Sequence, residues 1–566
     1  MSKKEILTSA IKELLERKID DKKELMAEKR KIAKKYGLPI LRNSDILGYL
    51  KNIKGHENLL PILRKRSIRT MSGIAPVAVL TKPFPCPGKC AYCPTEKNVP
   101  QSYLSNEPAV MRAIRCNYDP YLQVQYRLKA LEANGHEPTK IELIVIGGTW
   151  SVLPEGYKFW YIKQCFRAAN NYGKKILNSK LQITNKFQIS KLKNDLLIEQ
   201  KKNEKAKYKI IGLTLETRPD YINEKELWEM RELGCTRVEL GVQAVDDKIL
   251  EKNLRGHGVG EIAEATKMLK DFGFKVTYHV MPGLPGSTPK KDVSMFKKLF
   301  NDERFQPDQI KFYPTVVTKG SLMHEWWQDG LYKPYTTKQL EDLIIACKKE
   351  IPEYVRVIRL IRDIPEESIV AGNIVTNLRQ VMQQRGVKCN CIRCREAGER
   401  KIINYKLQIT NYRASGGEEF FIQAVNKKDN TLYGFCRLRL SHNAQRVTRN
   451  FSVIPASEPG SRTALESSGG KFSGFRVKHG MTKKESYALR DYAIIRELHV
   501  YGELVSVGAE KKVQHSGLGK KLMLAAERIA KKNKYAKIAV ISGIGARGYY
   551  KKLKYKLKNT YMAKDL

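Results

Sequence analysis

The segment Pro85-Cys86-Pro87-Gly88-Lys89-Cys90-Ala91-Tyr92-Cys93-Pro94 directly follows an apolar run at residues 75–81. That run is the first of six. The others, at 141–146, 209–215, 237–242, 275–280 and 309–313, alternate with helix-like stretches up to about residue 362. Several are nearly continuous in Ile, Val and Leu, the pattern of strands covered on both faces. Six βα units in series predict an α/β fold in which a parallel sheet curls into a partial (βα)6 barrel. The chemistry of such a barrel sits at the carboxyl ends of its strands, and the cysteine segment lies at one of them.

Three thiolates spaced four and three residues apart on a short loop can ligate three irons of a cubane cluster. The fourth iron is then open to a chelating ligand. A structural zinc site calls for a fourth protein ligand and usually presents paired cysteines. The C-x3-C-x2-C spacing, with Tyr92 before the last cysteine, resembles the radical S-adenosylmethionine (SAM) superfamily. That resemblance implies a 4Fe–4S cluster on Cys86, Cys90 and Cys93. Other strand ends offer matching SAM contacts. Gly147, Gly148 and Thr149 present backbone to an amino group, Glu216 can take ribose hydroxyls or the amino group, and Gln243 ends the fourth strand. The turn Gly283-Leu284-Pro285-Gly286 is expected to accept the adenine.

A second constellation lies near the carboxyl end of the chain. Gln514-His515-Ser516-Gly517-Leu518-Gly519-Lys520 opens a helix expected at 518–532, where free N–H groups can meet a pyrophosphate. It is preceded by the strand 494–500 and followed by a strand at 537–542 and by Tyr549-Tyr550. Strand, glycine loop, helix, strand and tyrosine pair resemble the GNAT-type acetyl-CoA-binding fold. In that fold the strand Glu497, Leu498, His499, Val500 would pair with pantetheine, and a tyrosine would lie near the thioester sulfur as acid or orienter. His499 taken alone reads as a packed histidine.

Cys389-Asn390-Cys391-Ile392-Arg393-Cys394 lies between the two modules. Its C-x-C-x2-C spacing suits one zinc braced by a fourth ligand from elsewhere, with Cys347, Cys436 and His442 as candidates. The five solitary cysteines, Cys116, Cys165, Cys235, Cys347 and Cys436, otherwise read as small buried residues.

The chain has 566 residues and a formal net charge of +45, which argues for a polyanionic partner, nucleic acid before membrane. Residues 1–70 carry 19 basic and 9 acidic residues, about twice the charge density of the rest. Apolar positions at Ile6, Ile11, Leu14, Leu15, Ile46, Leu47 and Leu50 predict short amphipathic helices there. No apolar run reaches the roughly 18 residues of a membrane span, and the first residues lack a secretory h-region, which reads as cytoplasmic. Residues 176–207, polar and Lys/Asn-rich, read as a surface insertion. The hexapeptide Lys-Leu-Gln-Ile-Thr-Asn occurs there at 180–185 and again at 406–411. The Ser/Gly/Pro-rich stretch 456–474 reads as a loop.

The expected division is therefore a basic helical region at 1–70, a radical-SAM barrel at 71–385, a zinc-binding linker at 386–404 and an acetyltransferase module at 405–566. The stretches Arg69-Thr-Met-Ser-Gly-Ile, Met111-Arg-Ala-Ile-Arg, Glu216-Thr-Arg-Pro-Asp, Cys391-Ile-Arg-Cys-Arg-Glu, Arg496-Glu-Leu-His-Val-Tyr-Gly and Ala525-Ala-Glu-Arg-Ile-Ala resemble the catalytic subunit of Elongator, in its stand-alone form. That family comprises the tRNA uridine acetyltransferases that carboxymethylate the wobble uridine. The resemblance implies acetyl-CoA contacts from residues 497–500, 517–520 and Tyr550, with Lys140 reaching from the barrel. It also implies a tRNA anticodon stem-loop as partner, an external electron donor, and a monomer or homodimer. In the implied reaction a SAM-derived radical activates the acetyl methyl, which adds to uridine C5, and thioester hydrolysis leaves a carboxymethyl group. Two competing readings are a protein lysine acetyltransferase with a structural iron–sulfur cluster and a nucleic-acid scaffold with vestigial sites.

Overall fold

The structure is a computed structural model describing residues 2–50, 53, 55–56, 58–63, 73–174, 188–375, 378–398, 400, 402, 404–441, 491–502 and 517–566. The basic stretch 64–69, the hexapeptide at 180–185, His442, the loop 456–474 and Gln514 lie outside the described residues.

The six expected strands form. β1 (Ala75–Leu80), β2 (Lys140–Ile146), β3 (Lys209–Thr217), β4 (Arg237–Gln243), β5 (Lys275–Val280) and β6 (Gln309–Phe312) pair in sequence order, all parallel. A seventh strand, β7 (Arg356–Arg359), adds to β6 in the same sense. The inner face differs from the expectation that both faces are apolar. On β4, Val238, Leu240 and Val242 pack into the hydrophobic core, while Arg237, Glu239, Gly241 and Gln243 line a cavity inside the curl. β5 and β6 repeat this, with Lys275, His279, Gln309 and Lys311 inside. The period-2 alternation places polar groups on the concave face, so the lumen stays open.

Residues 189–203 are not a bare insertion. Helix Ile189–Asn203 buries Leu192 and Leu196, and Asn203 donates to the Tyr208 carbonyl just before β3. The amino-terminal region folds as helices Lys3–Leu15, Lys22–Lys35, Asn43–Leu50 and Leu59–Leu63. Ser2 and Glu5 close a capping box on the first. Their apolar faces form a small core of their own around Ile11, Leu14, Ile32, Ile46 and Leu47.

The carboxyl-terminal part is a second seven-stranded sheet. β8 (Tyr405–Ala414), β9 (Gly417–Asn426), β10 (Leu432–Ser441) and β11 (Tyr492–Val500) run antiparallel, followed by β12 (Lys537–Val540), β13 (Lys556–Lys558) and β14 (Tyr561–Asp565) in the order β8-β9-β10-β11-β12-β14-β13. β11 and β12 are parallel neighbours whose register ends at Ile495–Val540. Beyond that point β11 continues to Val500 with β10 alone beside it, and the helix Leu518–Lys532 begins against the resulting notch.

The two sheets are joined by buried charge. Arg437 pairs with Glu497 and Leu438 with Ile495, so Arg496 is the extra residue of a β-bulge. It reaches Asp308, at the foot of β6, with contacts of 2.6 and 2.9 Å. Arg437 lies 3.5 Å from the same carboxylate and donates to Glu497 at 3.0 Å, while Arg439 bridges Asp271 and Glu419. Burial would raise the Asp308 carboxyl, but Arg496, Lys270 and Arg437 outweigh it and hold it well below the usual carboxylate range. Replacing Asp308 by Ala takes from buried Arg496 its closest carboxylate, leaving Glu419 at 3.4 Å, and is expected to cost about 3–5 kcal/mol. A urea titration followed by circular dichroism should show a lower midpoint. A midpoint equal to that of the unaltered protein would mean that apolar packing alone holds the sheets together.

Candidate active site: a lumen shared by two sheets

Because the second sheet docks beneath the amino ends of the barrel strands, one cavity of about 1480 Å³ runs through both parts. Its upper end is lined by Cys86, Cys90, Cys93, Gly148, Thr149, Glu216 and Gln243. Its lower end is lined by Lys140, Glu497, Leu498, His499, Val500, Gly517, Gly519, Lys520, Tyr549 and Tyr550. Strands of seven residues separate the two ends by about 20 Å.

The cysteine loop follows β1 and is pinned from several elements. Ala91 donates its N–H to the Asn253 carbonyl and accepts one from Met323, and Cys86 Sγ lies 3.9 Å from Thr149 Oγ1. Two buried arginines, Arg218 after β3 and Arg255 after β4, point at Cys90 Sγ. Among the described residues, only the second cysteine group is drawn within 4.8 Å of itself, so the first is more open than a single-ion site. An open triad of thiols under positive charge suits a multi-iron cluster.

Glu216 Oε2 accepts from the Tyr103 hydroxyl at 3.0 Å, and its Oε1 lies 3.5 Å from His279. His279 in turn meets Glu239, which also pairs with Lys311. Gln243, which lines the lumen, adopts a left-handed φ of 69°, and its side-chain oxygen is buried without a partner among the described residues. A strained, unsatisfied polar group at a strand end is what a bound polar ligand would complete. The turn 283–286 does not line the lumen. The Gly283 N–H is taken by Asp292 and its carbonyl by Tyr332, while Met281 just before the turn lines the lumen.

At the lower end Gly517 caps the helix Leu518–Lys532 in left-handed geometry. A Cβ on Gly519 would meet the Tyr549 hydroxyl at 2.7 Å, so only bare backbone lets that phenol sit over the loop. Burial pushes the Tyr549 phenol up to about 12 and Tyr550 higher still, so both keep their protons at neutral pH. His499 is held neutral by burial, near 4, and among the described residues its Nε2 has no partner. Its ring clusters with those of Phe435 and Tyr501, consistent with a packed histidine that also lines the lumen. The Glu497 side chain is engaged by Arg437 and Lys275, which leaves its strand backbone, rather than its carboxylate, for a ligand. Desolvation lowers the Lys140 ammonium.

Cys389, Cys391 and Cys394 do gather, and Cys391 is fully buried. Neither Cys347 nor Cys436 joins them; both are buried in their own elements, as are Cys116, Cys165 and Cys235. Ile392 donates to Val355 before β7 and Ala397 to Leu432 on β10, so this segment ties one sheet to the other. Sequence reasoning missed Arg218, Glu239, Arg255, His279 and Lys311. The alternation of polar residues along β4–β6 was the available signal for three of them.

Comparison with known proteins follows this geometry. Residues 85–299 match the Radical SAM superfamily, and 307–386 match the Radical SAM C-terminal domain. The chain is 40% identical to a tRNA uridine(34) acetyltransferase of Dehalococcoides mccartyi (strain CBDB1), over 89% of this chain and 100% of the relative. It is 36% identical to Elongator complex protein 3 of Homo sapiens, over 98% and 96% of the two chains. Among solved structures, the archaeal Methanocaldococcus infernus Elp3 with an N-terminal deletion (1–46) superposes with a TM-score of 0.67 and 36% identity, over 87% of this chain and 99% of that one.

Hydrogen bonds from Cys389 and Cys394 lower the Cys391 thiol, making the innermost sulfur the readiest thiolate of the three. Purified protein is expected to carry one zinc per chain and the Cys391→Ser variant none, by elemental analysis. Iron without zinc in the unaltered protein would remove the metal assignment.

Proposed function

The chain belongs to the family of tRNA uridine(34) acetyltransferases and Elongator complex protein 3, and from that premise we propose how its lumen carries out the reaction. It is a radical-SAM tRNA-modifying acyltransferase acting on the wobble uridine, and as a radical-SAM protein it takes a 4Fe–4S cluster and SAM. The further reading is that acetyl-CoA is the acyl donor and 5-carboxymethyluridine the product. One observation carries it: the cysteine triad and the glycine-loop helix line the same cavity.

Cys86, Cys90 and Cys93 are the ligands for the cluster, and the strand ends at Gly147, Gly148, Thr149, Glu216 and Gln243 face the SAM side. The orphaned Gln243 oxygen and the Tyr103-braced Glu216 fit a polar ligand there. When bound, the cluster and SAM supply the radical that activates a C–H bond. The protein's task is placement and exclusion of water.

At the other end, N–H groups of Gly519 and Lys520 at the helix start suit a pyrophosphate. The β11 edge at residues 497–500, beyond its last pair with β12, suits a pantetheine arm. Tyr549 and Tyr550 are phenols at working pH and serve as proton donors or orienters, while neutral His499 can accept a hydrogen bond. Lys140, at the foot of β2, reaches the same end from the barrel.

The cationic surface supports tRNA binding through phosphate contacts, with the anticodon base splayed out toward the upper end. Protein lacking residues 1–70 is expected to bind tRNA more weakly and with a shallower salt dependence; unchanged affinity and slope would take that region out of the binding surface.

The two ends should fail separately. Cys93→Ala is expected to lose the cluster's absorbance while acetyl-CoA and tRNA still bind. Gly519→Glu places a side chain where Tyr549 sits and a carboxylate where a pyrophosphate must approach. It should lower acetyl-CoA affinity at least tenfold and spare the cluster. Nucleoside mass spectrometry should find modified uridine with neither variant. Cys93→Ala protein that acetylates lysine peptides at full rate, beside an unaltered protein that never modifies tRNA, would overturn the proposal.

A further inference from the structure

Arg255 is an unusual cation. It is 5% exposed, and among the described residues no carboxylate lies within ion-pair distance of it. Its Nε donates to the Gly241 carbonyl at 3.2 Å, and its Nη1 lies 3.3 Å from Cys90 Sγ. Arg218, 6% exposed, places Nη1 3.9 Å from the same sulfur, but most of its charge is answered by Asp220 at 2.8 Å. Arg218 also donates to the Arg255 carbonyl at 2.9 Å, so the two guanidinium groups are held as a pair. A Cβ at Gly88 would stand 2.3 Å from Arg218 Nη1, so the glycine between the first two cysteines is what admits the pair to the loop.

A buried guanidinium with no carboxylate is costly unless an anion faces it. Cys90 is the candidate anion. Once it is a cluster ligand, its sulfur also carries part of the cluster's charge.

We propose that Arg255, assisted by Arg218, is a positioning residue that sets the reduction potential of the cluster through N–H···S contact with Cys90 Sγ. The proposal rests on the reading that Cys86, Cys90 and Cys93 hold a 4Fe–4S cluster. Reduction adds one electron, taken from a low-potential one-electron donor, and makes or breaks no bond. It makes the cluster more negative by one charge. Donors and positive charge at a ligating sulfur stabilise the reduced state over the oxidised one and so raise the potential. Cys90 takes the direct contact: the Cys86 sulfur meets a threonine hydroxyl, which carries no charge, and Cys93 feels the charge of Arg255 without an N–H contact from it among the described residues. The arrangement therefore eases electron entry.

The test is a redox titration of full-length protein loaded anaerobically with iron and sulfide, the reduced cluster being read by electron paramagnetic resonance. Arg255→Met should keep its iron and show a midpoint more negative than that of the unaltered protein. Arg255→Lys, which retains charge and donor, should fall between them. If Arg255→Met fails to hold iron, Arg255→Gln, which removes the charge but keeps an amide donor, takes its place and should show the same direction of shift. A neutral variant that holds iron at an unshifted midpoint overturns the proposal. Unaltered protein that takes up no iron overturns the cluster reading beneath it.

Discussion

The contact between Asp308 and Arg496 governs the rest of the molecule. Asp308 stands at the foot of a barrel strand and accepts the Val276 N–H, so its carboxylate is fixed by the barrel itself. Arg496 is the bulged residue of β11, turned out of its own sheet toward that carboxylate. Both are fully buried. Such a pair gains little over an apolar contact of the same size, but it narrows the allowed geometry, because either partner alone would keep only longer contacts, Arg496 to Glu419 at 3.4 Å or Asp308 to Arg437 at 3.5 Å. The sheets are thereby held in one relative placement.

That placement makes the lumen functional. A parallel barrel is commonly filled by layers of branched side chains, which would separate one end from the other. Here Glu142, Arg237, Glu239, His279 and Lys311 occupy inward positions and satisfy one another: Arg237 pairs with Glu142 at 2.7 Å, and Glu239 with His279 and Lys311. The lumen is open yet electrically balanced. The second sheet docks at its lower end and contributes the helix start and the tyrosines, so two chemistries share one cavity.

Charge is handled differently inside and outside. The excess of +45 is spread over the surface, densest in the amino-terminal helices, whose own small core leaves most of their lysines in water. Inside, nearly every cation has a named anion. Arg231, answered by the Cys235 and Thr560 carbonyls, and Arg255 depart from that rule, and the sulfur that Arg255 faces belongs to the triad at the head of the lumen.

The strand runs, the helix Leu518–Lys532 and the two cysteine groups were legible in the sequence because each depends on local spacing: a period of two, a period of 3.6, or thiols a few residues apart. The same locality exposed the glycine loop and the tyrosine pair. The seventh barrel strand was not legible, being four residues of Arg-Val-Ile-Arg whose identity as a strand comes from pairing with β6. Nor was the helix Ile189–Asn203, whose polar composition hides the two leucines that seat it. The glycines of the turn 283–286 were legible, but that the helix Pro289–Asn301, through Asp292, takes the Gly283 N–H was not. What tertiary structure alone decided is convergence. Cys90, Arg218 and Arg255 are separated by 128 and 165 residues, and Asp308 and Arg496 by 188. No local pattern encodes such distances: they are set by the order in which parallel strands stack and by one bulge that turns an arginine from its own sheet to another.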